Sequence, residues 1–501
     1  MSIRILPAII AFALCAPFAA AQNVELPDIG SSAGTVLSPD EEHQYGARML
    51  YELRRVDLVL DDAIVSDYIH TLGFRLVALS ERPEQPFTFF VVRSNEINAF
   101  AAPGGFVGVN VGLMHTAESE SEVAAVLAHE VAHVTQRHLV RAYESMQKAS
   151  LPIALAMLGA VLASRNSSGD GTEAALVGGM GLLQQQQINF TRHNEYEADR
   201  VGIFTLAKAG FDAEAMAGFF ARMGRATRSN SAEMPEFLRT HPVTTARISE
   251  AKSRVETIRR DPPAVTESAA DESRFRLMRE RAHVLTSSEP SKLVDVYRRE
   301  LLNADKSRQP SLSYGLALAQ LRSGQAKTAL AELDKLVASA PNELAFLLPR
   351  AEARRLSGDA KTALADLQAL AEIAPGHRPV QLAYAEALNA EGNKASGELA
   401  MGVLRPVLSK DASDPTTQAI FARACELAGA DARALEAHAE VALYTGRPYD
   451  AMEQLKRLLE RPKLDYYQRA RVEARIAELT PYMLELERQR VRKEDQDARR
   501  G

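Results

Sequence analysis

The feature that most narrows what this chain can fold into is a period of 34 residues in its second half. Gly324, Gly358 and Gly392 fall 34 apart, as do Ala329-Leu330 and Ala363-Leu364, and Pro341 and Pro375. Three coincident registers describe one repeated unit: a helix, a turn at the glycine, and a second helix that ends at the proline. No such unit buries its apolar face alone, so the copies must stack into a curved superhelix. Its concave side is free to hold another chain, or the array is purely structural. Degenerate copies flank the clear ones, at about 275–308 and 414–460, where Gly446 precedes Ala451 by five.

At 501 residues the chain has room for more than this array. It opens Met-Ser-Ile-Arg, continues with an apolar run from Ile5 to Phe18 and reaches Ala19-Ala20-Ala21, the order of a secretory signal cleaved after Ala21. That run is about 14 residues and contains Pro17, short of the ~20 that a bilayer span needs. With Cys15 inside the signal, Cys425 is left alone and no disulfide framework forms. A composition of 46% hydrophobic and 25% charged residues is ordinary for a globular chain, and a net charge of −6 offers no basic surface for nucleic acid.

Between signal and repeats the pattern changes several times. From Glu41 to Ser80 apolar residues recur at helical spacing, which predicts two helices. Phe87 to Arg93, Ile97 to Ala101 and Phe106 to Val111 read as three short strands, with a turn at Pro103-Gly104-Gly105. One helix is predicted from Glu118 to Lys148. The apolar stretches 151–163 and 174–183 are either a pair of short buried helices, or a mobile lid or membrane-surface contact. A polar, proline-containing stretch from Asp261 marks a boundary. The expected organisation is a signal over 1–21, a first domain over 22–260, a linker over 261–274 and the repeat domain over 275–501.

The first domain carries a chemical motif, His129-Glu130-Val131-Ala132-His133, on a predicted helix. Histidines four apart sit ~400° round the axis and ~6 Å from each other, on one face, within reach of a single metal ion. Glu130 points beside that ion and can work on a water molecule. A catalytic zinc takes three protein ligands, and Glu195, in Asn194-Glu195-Tyr196-Glu197-Ala198-Asp199, is the candidate third. Asp199 shares its face and can accept the free ring N–H of a ligand histidine; an acidic first turn favoured by the helix dipole is the plainer alternative. Two imidazoles and a carboxylate point to Zn2+, one ion per chain. His138, five residues past His133, would lie ~500° round a continuous helix and face elsewhere.

The motifs His129-Glu130-x-x-His133, Glu195-x-x-Ala198-Asp199 and His241-Pro242 with Arg247 resemble those of the zinc peptidases that include the CAAX prenyl protease and the bacterial heat-shock membrane protease. The 34-residue unit likewise resembles the tetratricopeptide repeat. Together they imply an α+β zincin-like metallopeptidase domain, mostly helical with a small sheet, followed by an all-α tetratricopeptide-repeat superhelix. By the resemblance, His129, His133 and Glu195 hold zinc and Glu130 is the general base. The segment Asn98-Ala99-Phe100 then borders the cleft as an edge for an extended substrate, or is simply a hairpin arm. His241 either fills the metal's fourth position and restrains the enzyme or caps the following helix. Arg247 either stabilises the oxyanion or forms an ion pair with Glu250 or Asp199.

The order of signal, peptidase and repeats is similar to that of periplasmic members of the family engaged in outer-membrane protein quality control. The implied partners are unfolded or misassembled outer-membrane proteins and their assembly machinery, held by the repeats, with peripheral membrane contact through 151–183. A chaperone or assembly scaffold with a latent peptidase site is the alternative.

Overall fold

The computed structural model of the chain describes residues 38–144, 191–229, 235–259, 269–462 and 464–498. The signal expected over 1–21 and the apolar stretches 151–163 and 174–183 lie outside them. Helix α1 (Pro39–Arg55) starts at a capping box, in which the Ser38 hydroxyl accepts from the Glu41 N–H and the Glu41 carboxylate accepts from the Ser38 N–H. Asp62 caps α2 (Ala63–Val77) by accepting the Val65 N–H. Strands β1 (Thr88–Val92), β2 (Ala99–Ala102) and β3 (Phe106–Asn110) form one sheet in the order β1-β3-β2, with β1 parallel and β2 antiparallel to β3. The β2–β3 turn needs glycine: Gly105 has φ 79°, and a Cβ there would lie 2.0 Å from the Pro86 carbonyl oxygen.

After the short α3 (Val111–Thr116), α4 (Glu120–Thr135) runs through the middle of the core. Val123 to Leu127 and Val131 are all 1% exposed or less, as expected of a helix that is apolar nearly all round. The single helix expected over 118–148 is interrupted. Gln136 and Arg137 form a turn, Arg137 adopts φ 53°, and α5 resumes over 138–144. The Arg137 guanidinium donates to the Glu42 carboxylate on α1, which holds this non-glycine residue in a left-handed conformation. Helix α6 covers 191–208 and stops before Gly210, φ 81°. Helices α7 (Glu214–Ser229), α8 (Glu236–Thr240) and α9 (Thr245–Arg259) complete the first half.

Helix α10 (Ala269–Thr286) begins inside the stretch read as a linker and packs on α2, α3 and α4 as well as on the repeats. One apolar core therefore runs from Leu60 through Phe275 and Tyr297 to Phe346. Paired helices follow, Gln309–Arg322 with Ala326–Ser339, Leu344–Leu356 with Ala360–Ile373, and Arg378–Ala390 with Lys394–Lys410, each turning at a glycine of positive φ. The next such turn, Gly429, comes 37 residues after Gly392, because the helix Lys394–Lys410 has 17 residues where its counterparts have 14. The far end of the array returns to α1. The Arg48 guanidinium lies 4.9 Å from the Tyr482 ring centre, Tyr51 packs 5.7 Å from Tyr444, and a Cβ on Gly446 would come 2.6 Å from the Tyr51 carbonyl.

Candidate metal centre

Helix α4 presents His129 and His133 on one face, with their Nε2 atoms 3.0 Å apart. Glu195, in the first turns of α6, brings Oε1 to 3.4 Å from His133 Nε2 and Oε2 to 3.4 Å from His129 Nε2. His241, at the end of α8, sets Nδ1 3.3 Å from His129 Nε2 and 3.0 Å from Glu195 Oε1. Donor atoms around a tetrahedral ion at ~2.1 Å stand roughly 3.4 Å from one another, so three imidazoles and a carboxylate at these separations fit one metal ion. Helix α6 can come this close because Gly202 has no side chain; a Cβ there would meet the Ala128 and His129 backbone at 3.1 Å.

Burial and the charges of neighbouring donors act on one another across the cluster. Burial opposes a charge on Glu195, but hydrogen bonds from His129, His133 and His241 outweigh it and hold the carboxyl far below its usual range. Burial also opposes a charge on His129, yet the carboxylates of Asp199 and Glu195 prevail and push it up to about 10. His133, where burial dominates, is pushed down to about 3. Glu130 is 1% exposed, with Oε1 buried and lacking a hydrogen-bond partner and His241 Nε2 3.5 Å away. Burial raises its pKa, against the charges of His241 and His129 and a hydrogen bond from the Ala101 N–H. A carboxylate so placed can take a proton and release it again.

Asp199 lies beneath the centre, its Oδ1 3.0 Å from His129 Nδ1. Arg247 grips it as a fork, Nε to Oδ2 at 2.6 Å and Nη2 to Oδ1 at 2.7 Å. The remaining arm, Nη1, lies 2.9 Å from both the Pro242 carbonyl oxygen and Glu195 Oε2. Of the two acidic partners open to Arg247, Asp199 is the one it pairs with, and Glu250 pairs instead with Arg254. Through Pro242 it also steadies the turn that carries His241.

Strand β2 lies at an edge of this sheet, and Asn98, just before it, Ala99 and Phe100 differ in what they offer. Asn98 accepts the Asn110 N–H and so pairs inward, as does Phe100 opposite Gly108, while Ala99 and Ala101 direct their N–H and C=O away from β3. The Ile97 carbonyl accepts the Phe237 N–H from α8. The Asn98 side chain is 4% exposed, and its Oδ1 has no hydrogen-bond partner.

His138 departs from the sequence reading. The break at Arg137 turns it back, so that its Nδ1 lies 2.9 Å from His133 Nδ1 and its Nε2 3.1 Å from Glu197 Oε2. Sequence periodicity missed this pair because it assumed an unbroken helix.

A model of the family described as "Peptidase family M48" matches residues 64–255, the stretch that holds all four donors. A protein of Vibrio cholerae named "Putative beta-barrel assembly-enhancing protease" is 41% identical over 337 residues, 66% of this chain and 68% of its own. The "Beta-barrel assembly-enhancing protease" of Escherichia coli is 36% identical over 322 residues, 64% of each chain. The "Mitochondrial metalloendopeptidase OMA1" of Schizosaccharomyces pombe is 31% identical over 205 residues, 41% of this chain and 55% of that one. These matches cover about two thirds of the bacterial relatives' length. Family model, relatives and a cluster of donors spaced for one ion agree, and the chain is a metalloendopeptidase belonging to peptidase family M48.

Proposed function

We propose that the chain is a periplasmic zinc endopeptidase that acts in outer-membrane protein quality control on misfolded or stalled substrates recruited by its repeats. The observation that carries this is the convergence of His129, His133 and Glu195 on one point with the Glu130 carboxylate beside it. Zinc bound there supplies a Lewis acid that polarises the scissile carbonyl and acidifies water. Glu130 takes the proton of the attacking water and delivers it to the leaving amine. Asp199, gripped by Arg247, holds the His129 ring in the tautomer that keeps Nε2 free. The outward N–H and C=O of Ala99 pair with an extended substrate, which suits chains that expose unpaired strand edges. His241 stands as a fourth donor, competing for the position that water needs, so the resting enzyme is restrained.

A groove between α2 and the repeat helices, lined by Asp62, Ile64, Arg281, Glu352, Arg355 and Glu386, supports recruitment of another chain. The domain limits in this reading are 1–21 for the signal, 22–260 for the peptidase and 275–501 for the repeats. His241 within the donor set also favours a second reading, a chaperone or assembly scaffold whose peptidase is latent. The test is cleavage of a loosely folded polypeptide by the chain from Gln22 with zinc supplied, and Glu130→Gln as control. Cleavage by wild type alone is expected. Stoichiometric zinc without cleavage by either would shift the function to the scaffold.

A further inference from the structure

The two motif histidines are backed differently. His129 has a carboxylate at its outer nitrogen, Asp199 Oδ1 at 3.0 Å, whereas His133 has another imidazole, His138 Nδ1 at 2.9 Å. His133 turns Nε2 toward the donor cluster, 3.0 Å from His129 Nε2 and 3.4 Å from Glu195 Oε1. For Nε2 to offer a lone pair to a metal, the ring proton must sit on Nδ1, and that N–H needs an acceptor. His138 Nδ1 can accept only if its own proton is on Nε2. There the acceptor is at hand: Glu197 Oε2 at 3.1 Å, with Arg141 Nη1 2.9 Å from the same oxygen. The opposite direction, His138 donating to His133, would place a proton on His133 Nε2 and face it into the donor cluster.

We propose that His138, aligned by Glu197 and Arg141, is a positioning residue for the metal ligand His133. It accepts the His133 Nδ1 proton, fixes the tautomer and ring plane, and passes on part of the Glu197 charge through a neutral imidazole. The break at Gln136–Arg137 is what makes this contact, since five residues of unbroken helix would carry His138 away from His133. The chain of bonds ends near the surface, at Glu197 and Arg141, whose side chains are 18% and 36% exposed. The grip on His133 is therefore set from outside the buried centre, while that on His129 is set by the 2% exposed Arg247.

This rests on the metal-centre reading, and the test separates the two. Zinc affinity is measured by chelator competition for the chain from Gln22 and for its His138→Ala, His138→Gln and Glu197→Gln variants. Visible spectra of the cobalt-substituted proteins report the ligand field. His138→Ala is expected to bind zinc 10- to 100-fold more weakly, on the order of other outer partners of ligand histidines, and to shift the cobalt bands. His138→Gln, whose amide oxygen accepts and whose amide nitrogen donates, is expected to restore most of the affinity, and Glu197→Gln to fall between. Wild-type affinity and spectrum in His138→Ala would overturn the proposal, as would equal loss in His138→Ala and His138→Gln, the mark of packing alone. Absence of zinc binding by wild type would instead remove the metal-centre reading, and this proposal with it.

Discussion

Replacing Arg281 by Met tests whether the peptidase and the repeats are one folded body. Arg281 lies on α10 and grips Asp62 at the start of α2 with a fork, Nε to Oδ1 at 2.8 Å and Nη2 to Oδ2 at 2.7 Å, while Nη1 donates to the Tyr314 hydroxyl at 3.1 Å. Both side chains are mostly buried, at 14% and 15% exposure. Methionine keeps the apolar stem but strands the carboxylate, and losing one partner of a buried pair costs about 3–5 kcal/mol. Asp62 keeps the Val65 N–H it caps, so the low end, about 3 kcal/mol, is expected. Urea unfolding at pH 7 followed by circular dichroism measures it, and adding Asp62→Asn, which removes the stranded charge, should recover more than half of the loss. The pH dependence has a definite sign. Burial would raise the Asp62 pKa, but Arg281 and the cap N–H groups outweigh it and hold it below the usual value. A carboxyl depressed in the folded state contributes stability above its unfolded pKa of about 3.9 and loses it as pH falls through the folded pKa. The gap between wild type and Arg281→Met should narrow as pH falls from 7, because burial without Arg281 lifts the Asp62 pKa in the variant and acid neutralises the stranded carboxylate there first. A variant within ~0.5 kcal/mol of wild type at pH 7, or a gap that widens in acid, would refute the shared-body argument.

Three further outcomes are expected. Glu130→Gln should bind zinc like wild type and lose proteolysis by at least about 100-fold, the scale of general-base catalysis, in the polypeptide cleavage assay. His241→Ala should bind zinc more weakly yet cleave faster at saturating zinc, and a variant no faster than wild type would remove the restraint. Arg247→Leu leaves Asp199 and Glu195 buried without their cation, so urea unfolding should show a loss of about 3–5 kcal/mol and chelator competition a weakened hold on zinc.

The centre was legible where its residues sit at fixed intervals on single helices. His129, Glu130 and His133 follow from a spacing of four, and Glu195 with Asp199 from the same spacing. The α+β first half, the three strands and the repeat superhelix were legible from periodicity and glycine turns. What escaped depends on backbone events without a compositional mark. Arg137 in a left-handed conformation is stabilised by Glu42, 95 residues earlier, and no local signal announces that His138 turns back to His133. Arg247 had two acidic candidates in sequence, and only the packing of α9 against α6 selects Asp199 over Glu250. The extension of one repeat helix, Lys394–Lys410, moved the next glycine out of register, so Gly429 went unread.

The return of the last repeats to α1 changes what kind of object the array is. A stack of helical repeats with a free end behaves as a spring: it stretches, and it unravels from its tip because each unit leans only on its neighbours. Here the tip is fastened, through Arg48 on Tyr482, Tyr51 on Tyr444 and the bare Gly446 against the Tyr51 carbonyl. A fastened loop has a set circumference. Widening it means breaking the clasp at α1, and adding or deleting one repeat would leave the clasp residues facing the wrong partners. The span of the array is then fixed by residues at its two ends and not by its helices alone.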